Sequence, residues 1–379
     1  MIIMTCRTFF LGLFVFLIAA EGRATDPCAS ELAKFCPDEK TELSKFSCLV
    51  SHRDDLSLEC REELLRVNQL VKDTGVRGSG LSGFGGVMGS LGLIPPQKKV
   101  LTVEGNWAYE GNPTVINQGK IGLNSPLWKK DHSSFTSSLS AGTIQLNEAV
   151  SVPNGHAVSE LHRVEAGGQY SATTESKKIY GLRGSIGSAS DHPFATRREF
   201  IFTVNSFYVP TPKSQDSLWM YTVFLSNNSP IGNYIPIPGF IYFMKKETFT
   251  GMFGLPFMSL QWTPSKKWLY SASIFLTNIK ASATYLFSGR TQAGINFANI
   301  QQTFLREDRT NIRDRLFFNE RRIYAHARQI LALNLVAELQ SGLSFDRSLS
   351  EGQRFNDTSW RRDLGRSWFV GTSLIVSFD

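Results

Sequence analysis

The chain has 379 residues, 42% of them hydrophobic and only 19% charged, and 40 Lys and Arg against 33 Asp and Glu give a formal net charge of +7. After the N-terminus no stretch reaches the ~18–20 consecutive apolar residues of a membrane helix, which excludes a helical membrane protein but not one built of alternating β-strands. The basic excess is dispersed among Asp and Glu, which argues against nucleic acid as a partner; loop Arg and Lys suit the anionic outer leaflet of a membrane better.

In chain order, residues 1–24 read as a secretory signal peptide. Arg7 supplies the positive start, Phe9 to Ala20 the apolar core and Gly22-Arg23-Ala24 the small-residue cleavage site, so the mature chain is expected to begin near Thr25. The apolar run is short for an uncleaved anchor, and Cys28 follows Thr-Asp-Pro rather than the residues of a lipoprotein signal.

Residues 25–73 are expected to form a small helical, cysteine-rich module. Cys28, Cys36, Cys48 and Cys60 are the cysteines left after the leader; in an exported chain they point to two disulfides, with all three connectivities open. A zinc site is the weaker alternative, because no Cys-x-x-Cys pair is present. Ser57 is placed as a helix N-cap with Glu59 in the first turn, and Leu58, Leu64, Leu65, Val67, Leu70 and Val71 continue at near-helical spacing. The run Cys28…Glu31-Leu32…Phe35-Cys36…Cys48-Leu49…His52…Leu56-Ser57…Cys60…Leu64 resembles one unit of the cysteine-rich repeat of the Golgi apparatus protein family. That resemblance implies a disulfide-stapled helical module and no particular activity. His52 reads as a surface or capping residue.

Residues 74–97 carry eight glycines separated by single apolar residues and close on Pro95-Pro96, the composition of a flexible linker. A phosphate-cradling loop is the alternative, but no strand precedes the glycines and no Lys-Ser/Thr follows in register.

From 98 to 379 the period becomes two. Leu101, Val103, Trp107 and Tyr109 alternate with Thr102, Glu104 and Asn106; Phe202 and Val204 alternate with Thr203 and Asn205; Trp268, Tyr270 and Ile274 alternate with Ser271 and Ser273. Further strands are expected near 134–147, 158–171, 177–188, 218–227, 239–249, 254–262, 279–288, 292–303, 315–327, 329–345 and 367–378, which makes about fourteen. The fold class is therefore all-β: an antiparallel transmembrane β-barrel of about 14 strands after a small α-helical disulfide-stapled module. Close to 20 residues per strand with its connection suits a bilayer crossing. Short turns such as Thr263–Lys266 and Ser288–Thr291 fall on one side, and long polar connections, 110–131, 306–314 and 346–366, on the other. A soluble sheet with its apolar face inward is the competing architecture.

In the last strand Trp368, Val370, Leu374, Val376 and Phe378 share a face with Gly371 inside. Gly371, Leu374, Val376 and Phe378 resemble the C-terminal signal by which bacterial outer-membrane barrels are recognised by their assembly machinery, although Asp379 follows the aromatic residue that usually ends the chain. Pairing of this strand with the first would remove both open edges. Pro236-Ile-Pro-Gly239, Gly254-Leu-Pro256 and the strand that follows, with Trp268 and Tyr285, resemble an uncharacterised family of bacterial outer-membrane β-barrel proteins; this implies a barrel and no activity.

The lumen-lining candidates are Glu104, Glu320, Arg322, His326 and Arg328, because Arg or Lys toward lipid at the midplane costs roughly 2–4 kcal/mol. Arg321 breaks that sorting unless it lies near an interface. The charges either set solute preference or brace the wall as a salt-bridge network. The expected function is passive passage of small polar solutes through a bacterial outer membrane, with the cysteine-rich module in the periplasm and outer-membrane lipid and the assembly machinery as partners; the alternative is a structural or binding role without transport. No cofactor is expected. An outer-membrane hydrolase is the rival class, but His132, His156, His162, His192 and His326 are scattered and show no nucleophile constellation.

Overall fold

The computed structural model describes residues 28–37, 48–49, 52, 55–57, 60 and 99–378, apart from 109–115, 131, 154, 212–215, 266 and 333. The signal peptide and the Gly-rich linker expected from the sequence lie outside the described residues. The chain divides into two compact units, Met1–Thr74 and Gly75–Asp379.

In the first unit, disulfides Cys28–Cys60 and Cys36–Cys48 are nested, with Cα separations of 4.9 and 6.1 Å, which resolves the open connectivity. One short helix, α1 (Ala29–Phe35), lies between Cys28 and Cys36, with Glu31 in its positive first turn. Hydrogen bonds from the Ser30 and Ser57 hydroxyls hold the Glu31 carboxyl down at about 2. Ser57 Oγ accepts from the Cys60 N–H (3.3 Å), the capping geometry expected of it. His52 stacks on Phe35 with ring centroids 5.2 Å apart. Among the described residues α1 is the one helix whose whole span is seen, Cys48, Leu49 and Cys60 also have helical backbone, and Leu64 to Val71 fall outside them. In the core of this unit, buried Leu49 and Leu56 pack with half-cystines, so the cross-links reinforce a small hydrophobic cluster.

The second unit is a closed antiparallel barrel of 16 strands rather than about fourteen. Its strands are β1 (Lys99–Ala108), β2 (Ile116–Lys130), β3 (Ser133–Val150), β4 (Val158–Thr173), β5 (Ile179–Ser190), β6 (Phe200–Val209), β7 (Ser217–Ser226) and β8 (Ile237–Lys245), then β9 (Phe249–Leu255), β10 (Phe257–Ser265), β11 (Trp268–Phe275), β12 (Asn278–Leu286), β13 (Thr291–Phe304), β14 (Arg315–Ala332), β15 (Leu335–Arg354) and β16 (Asp357–Phe378). Closure is by β1 on β16, from Lys99↔Phe378 to Ala108↔Phe369, so the chain's last strand has no free edge along β1.

The two additional strands are β2 and β9. β2 lies in what reads as a polar connection: Gly119, Gly122 and a bulge between Pro126 and Trp128 weaken its alternation. β9 has seven residues, and β10 begins after Pro256 alone, so no turn composition marks the break. The 346–366 stretch is likewise no loop. It forms the distal halves of β15 and β16, which pair as far as Arg354↔Asp357.

The outer face is apolar. Ile295 is 63% and Trp368 64% exposed, and Leu139, Ile186, Val223 and Ile323 share that face on their strands, the reverse of a water-soluble sheet. From Trp368 to Phe378, with Val370, Leu374 and Val376 outward between them, β16 rises ~34 Å, or ~26 Å along the axis at ~40° tilt, which matches an apolar band ~25 Å tall. Aromatic pairs lie toward the short-turn end of β10–β13, such as Trp262–Tyr270 (5.4 Å) and Trp268–Tyr285 (5.2 Å). Arg321 is outward above the band, paired with Asp346 (2.9 Å), which also meets Arg361 (3.3 Å).

The two motifs of the suggested barrel family meet here. Ile241↔Gly254 and Phe240↔Leu255 are in register. A Cβ on Gly254 would lie 1.9 Å from the Phe240 carbonyl oxygen, and one on Gly239 2.5 Å from that of Leu255. Both positions need glycine because two backbones approach closely there.

Candidate functional site

Alternation sends the other face of each strand into the lumen, and the lining is asymmetric. Phe207, Val209, Met220, Ile241, Met252 and Phe257 make an apolar cluster along β6–β10. The opposite wall, β1–β4 with β12–β15, carries the charges.

β14 supplies four of the five residues expected in the lumen, because its inward positions fall at every second residue. Glu320 and Arg322 form a buried pair (2.6 Å), Glu320 also accepts from Gln118 Nε2 of β2 (2.9 Å), and the Arg322 guanidinium lies 5.0 Å from the Phe369 ring centroid. His326 is buried, its Nδ1 2.8 Å from Asn296 Nδ2. Arg328 lies opposite Glu338 in register. Glu104 of β1 lies opposite Lys120 of β2. Glu104 and Arg322 line one cavity of about 570 Å³ together with Lys120, Arg163, Asn278 and Lys280. A second cavity of about 380 Å³ shares Lys280 and Asn278 and adds Glu165 and Arg183. Arg163 is paired with Glu165 (2.9 Å). Glu320, His326 and Arg328 are thus on the inward face of β14 without lining that first cavity.

The sequence reading missed Lys120, Arg163, Arg183 and Lys280. Each sits on the polar side of an alternating stretch, Lys120 before Ile121 and Lys280 after Ile279, which is the signal that identifies them. For Lys120 it was hidden by the unrecognised strand.

At the end where the 305–314 connection lies, inward apolar side chains from several strands pack together. Ile144, Leu161, Phe304, Leu316, Phe318 and Leu349, from β3, β4, β13, β14 and β15, form one buried core with Leu305. The 305–314 connection lies over it, tied by Leu305 N–H to the Ala189 carbonyl (2.7 Å) and Glu307 N–H to Asp191 Oδ1 (3.1 Å). Arg306, only 2% exposed, meets Glu351 Oε1 (3.0 Å) and Asp308 Oδ1 (3.2 Å), and Asp308 Oδ2 lies 3.0 Å from His156 Nδ1 on the β3–β4 connection. Arg309 donates to the Arg306 carbonyl (2.6 Å). Burial lowers its guanidinium from the ordinary value, Glu199 opposing, and burial raises Asp314. The 227–236 connection joins this cap: Asn228 Nδ2 donates to the Thr303 carbonyl (2.9 Å), Arg315 Nη2 to the Asn227 carbonyl (2.9 Å), and Phe355 N–H to the Pro230 carbonyl (3.0 Å).

Of the five histidines named for a hydrolase, four face separate partners. His156 faces Asp308, His162 faces Glu160, His192 faces Asp191 and Glu307, and His326 faces Asn296. Among the described residues no Ser hydroxyl is hydrogen-bonded to a His ring.

No known protein-family profile matches the chain, and no curated protein matches it, so neither of the two sequence resemblances is confirmed. Solved structures do match. An outer-membrane channel from Pseudomonas putida F1 is 9% identical, with 75% of this chain and 97% of that one covered at a TM-score of 0.33. The outer-membrane protein Omp33 of Acinetobacter baumannii is 8% identical, with 74% and 99% covered at 0.34. The toluene transporter TodX of Pseudomonas putida is 8% identical, with 76% and 93% covered at 0.33.

Proposed function

We propose that the protein is a bacterial outer-membrane β-barrel whose lumen admits small polar solutes and is closed at rest by its own loops. The observation that carries the membrane reading is the outward ring of large apolar side chains on a fully closed sheet, bounded above by Arg321, Asp346 and Arg361. A barrel of this strand number leaves room for an aqueous lumen, and the charged wall around Glu104, Lys120, Lys280 and Arg322 supports a polar occupant. The packed cap over Phe304, Leu316 and Phe318 argues against a permanently open pore. Passage then requires the 305–314 connection to move. The C-terminal strand, with Leu374, Val376 and Phe378 outward and Gly371 inward, supports recognition by barrel-assembly machinery. The cysteine-rich module is proposed to sit in the periplasm, on the side where β1 begins.

A second reading, a binding or structural barrel without transport, is favoured by the same cap. Planar-bilayer recording separates the two. Discrete conductance steps support a gated route, while a silent barrel that still shows heat-shifted migration on a detergent gel supports the second.

A further inference from the structure

The two carboxylates nearest the lumenal arginines are already neutralised by partners two residues away on their own strands: Glu165 by Arg163 and Glu320 by Arg322. Lys120 and Lys280 differ. Both side chains are exposed yet inward, both line the 570 Å³ cavity, and neither has a carboxylate within ion-pair distance among the described residues. Lys280 lines both cavities, and Lys120 of β2, Glu104 of β1 and Arg322 of β14 line the larger one with it. Glu104 is the one carboxylate among the residues lining the larger cavity, against Lys120, Arg163, Lys280 and Arg322. Amide donors on Asn106, Gln118, Asn278 and Gln302 line the same space.

We infer that Lys120 and Lys280 form a binding site for a small oxyanion, a carboxylate or phosphate solute, making the lumen anion-selective. Rings of Lys and Arg select anions and phosphates by their field, the amide hydrogens supply directional donors, and a chamber of this volume suits a small solute. With Arg163 cancelled by Glu165 and Arg322 by Glu320, the charge left around the cavity is Lys120 and Lys280 against Glu104, a net positive field that attracts an anion. The inference rests on the proposed solute route only for its transport half; the binding half stands apart.

Inorganic phosphate is the probe. Titration calorimetry on the full chain refolded in zwitterionic detergent is expected to show one phosphate per barrel, weakened at least tenfold in the double variant Lys120→Gln/Lys280→Gln and not in Lys267→Gln, a turn residue outside both cavities. Heat-shifted migration verifies that every variant is folded. Absence of phosphate binding by the folded wild type, or equal affinity in the double variant, overturns the site. In bilayers under a KCl gradient the reversal potential is expected to favour chloride, and to move toward potassium in Lys120→Glu/Lys280→Glu. Phosphate binding without any current retains the site and removes the transport reading. Current that favours potassium, with no phosphate binding, retains transport and removes the site.

Discussion

Ile295 lies outward on β13, between Ala283 and Ala325 of its neighbouring strands. It is four residues from Thr291 at the short-turn end, which places it ~10 Å up the axis at ~3.4 Å per residue and ~40° tilt, near the middle of a band ~25 Å tall. Ile295→Arg therefore puts a guanidinium near the bilayer midplane, and neither neighbour offers a polar group. The expected loss is roughly 2–4 kcal/mol. Ala293→Arg, one outward position nearer the turns, should lose less, because the penalty falls with distance from the midplane. Equilibrium unfolding of the mature chain in lipid vesicles, followed across a urea series, gives both numbers. A face that touches water tolerates such changes within about ±0.5 kcal/mol, so an Ile295→Arg value in that range would refute the lipid-facing assignment.

Arg306→Ala leaves Glu351 buried without its partner in the closed cap, a loss of about 3–5 kcal/mol for a buried pair broken on one side; if the cap is the gate, openings in bilayer recordings should rise at least ~100-fold at about 1.4 kcal/mol per decade, and an unchanged opening frequency would count against the gate. Gly254→Ala should lower the heat-modification midpoint and cost about 1–3 kcal/mol through its clash with Phe240. Gly122→Ala, where a Cβ meets nothing within 4 Å, should leave that midpoint unchanged. Non-reducing peptide mapping should recover Cys28 with Cys60 and Cys36 with Cys48, and loss of one bridge should destabilise the small unit by about 2–4 kcal/mol; scrambled pairs from folded protein would contradict the nested arrangement.

Much of the barrel was legible because its outer face is kept apolar at period two, and the middles of β6 (Phe202 to Asn205) and β11 (Tyr270 to Ile274) show polar residues between, although Phe207, Val209 and Phe275 turn apolar side chains inward. The sequence became opaque where another rule overrode that sorting. β2 alternates Lys120 with Ile121, but Gly119, Gly122 and Pro126 read as loop chemistry. The upper halves of β15 and β16 stand beyond the apolar band, where both faces tolerate polar residues; Arg361, Arg362 and Asp363 therefore look like a loop although Ser350↔Arg361 and Leu349↔Arg362 are paired. Of the candidate lumenal residues, Glu320, Arg322, His326 and Arg328 were found because β14 packs its charges into one run. Lys120 and Lys280 come from strands on opposite sides of the closure, and only the ring order brings them to one cavity. The cap was illegible for a related reason: Arg306, Glu351 and His156 are far apart in sequence, and nothing local marks a polar connection that will close over an apolar core.

The medium that touches the outer face decides between a membrane barrel and a soluble one. A nitroxide placed at Ile295→Cys and, separately, at Glu104→Cys in the refolded barrel reports this directly through power saturation in lipid vesicles. The label at 295 should collide freely with oxygen and scarcely with a water-soluble nickel chelate, and the label at 104 should show lower oxygen accessibility. Equal or greater access of the chelate to position 295 would contradict a lipid-facing exterior, and with it the membrane barrel.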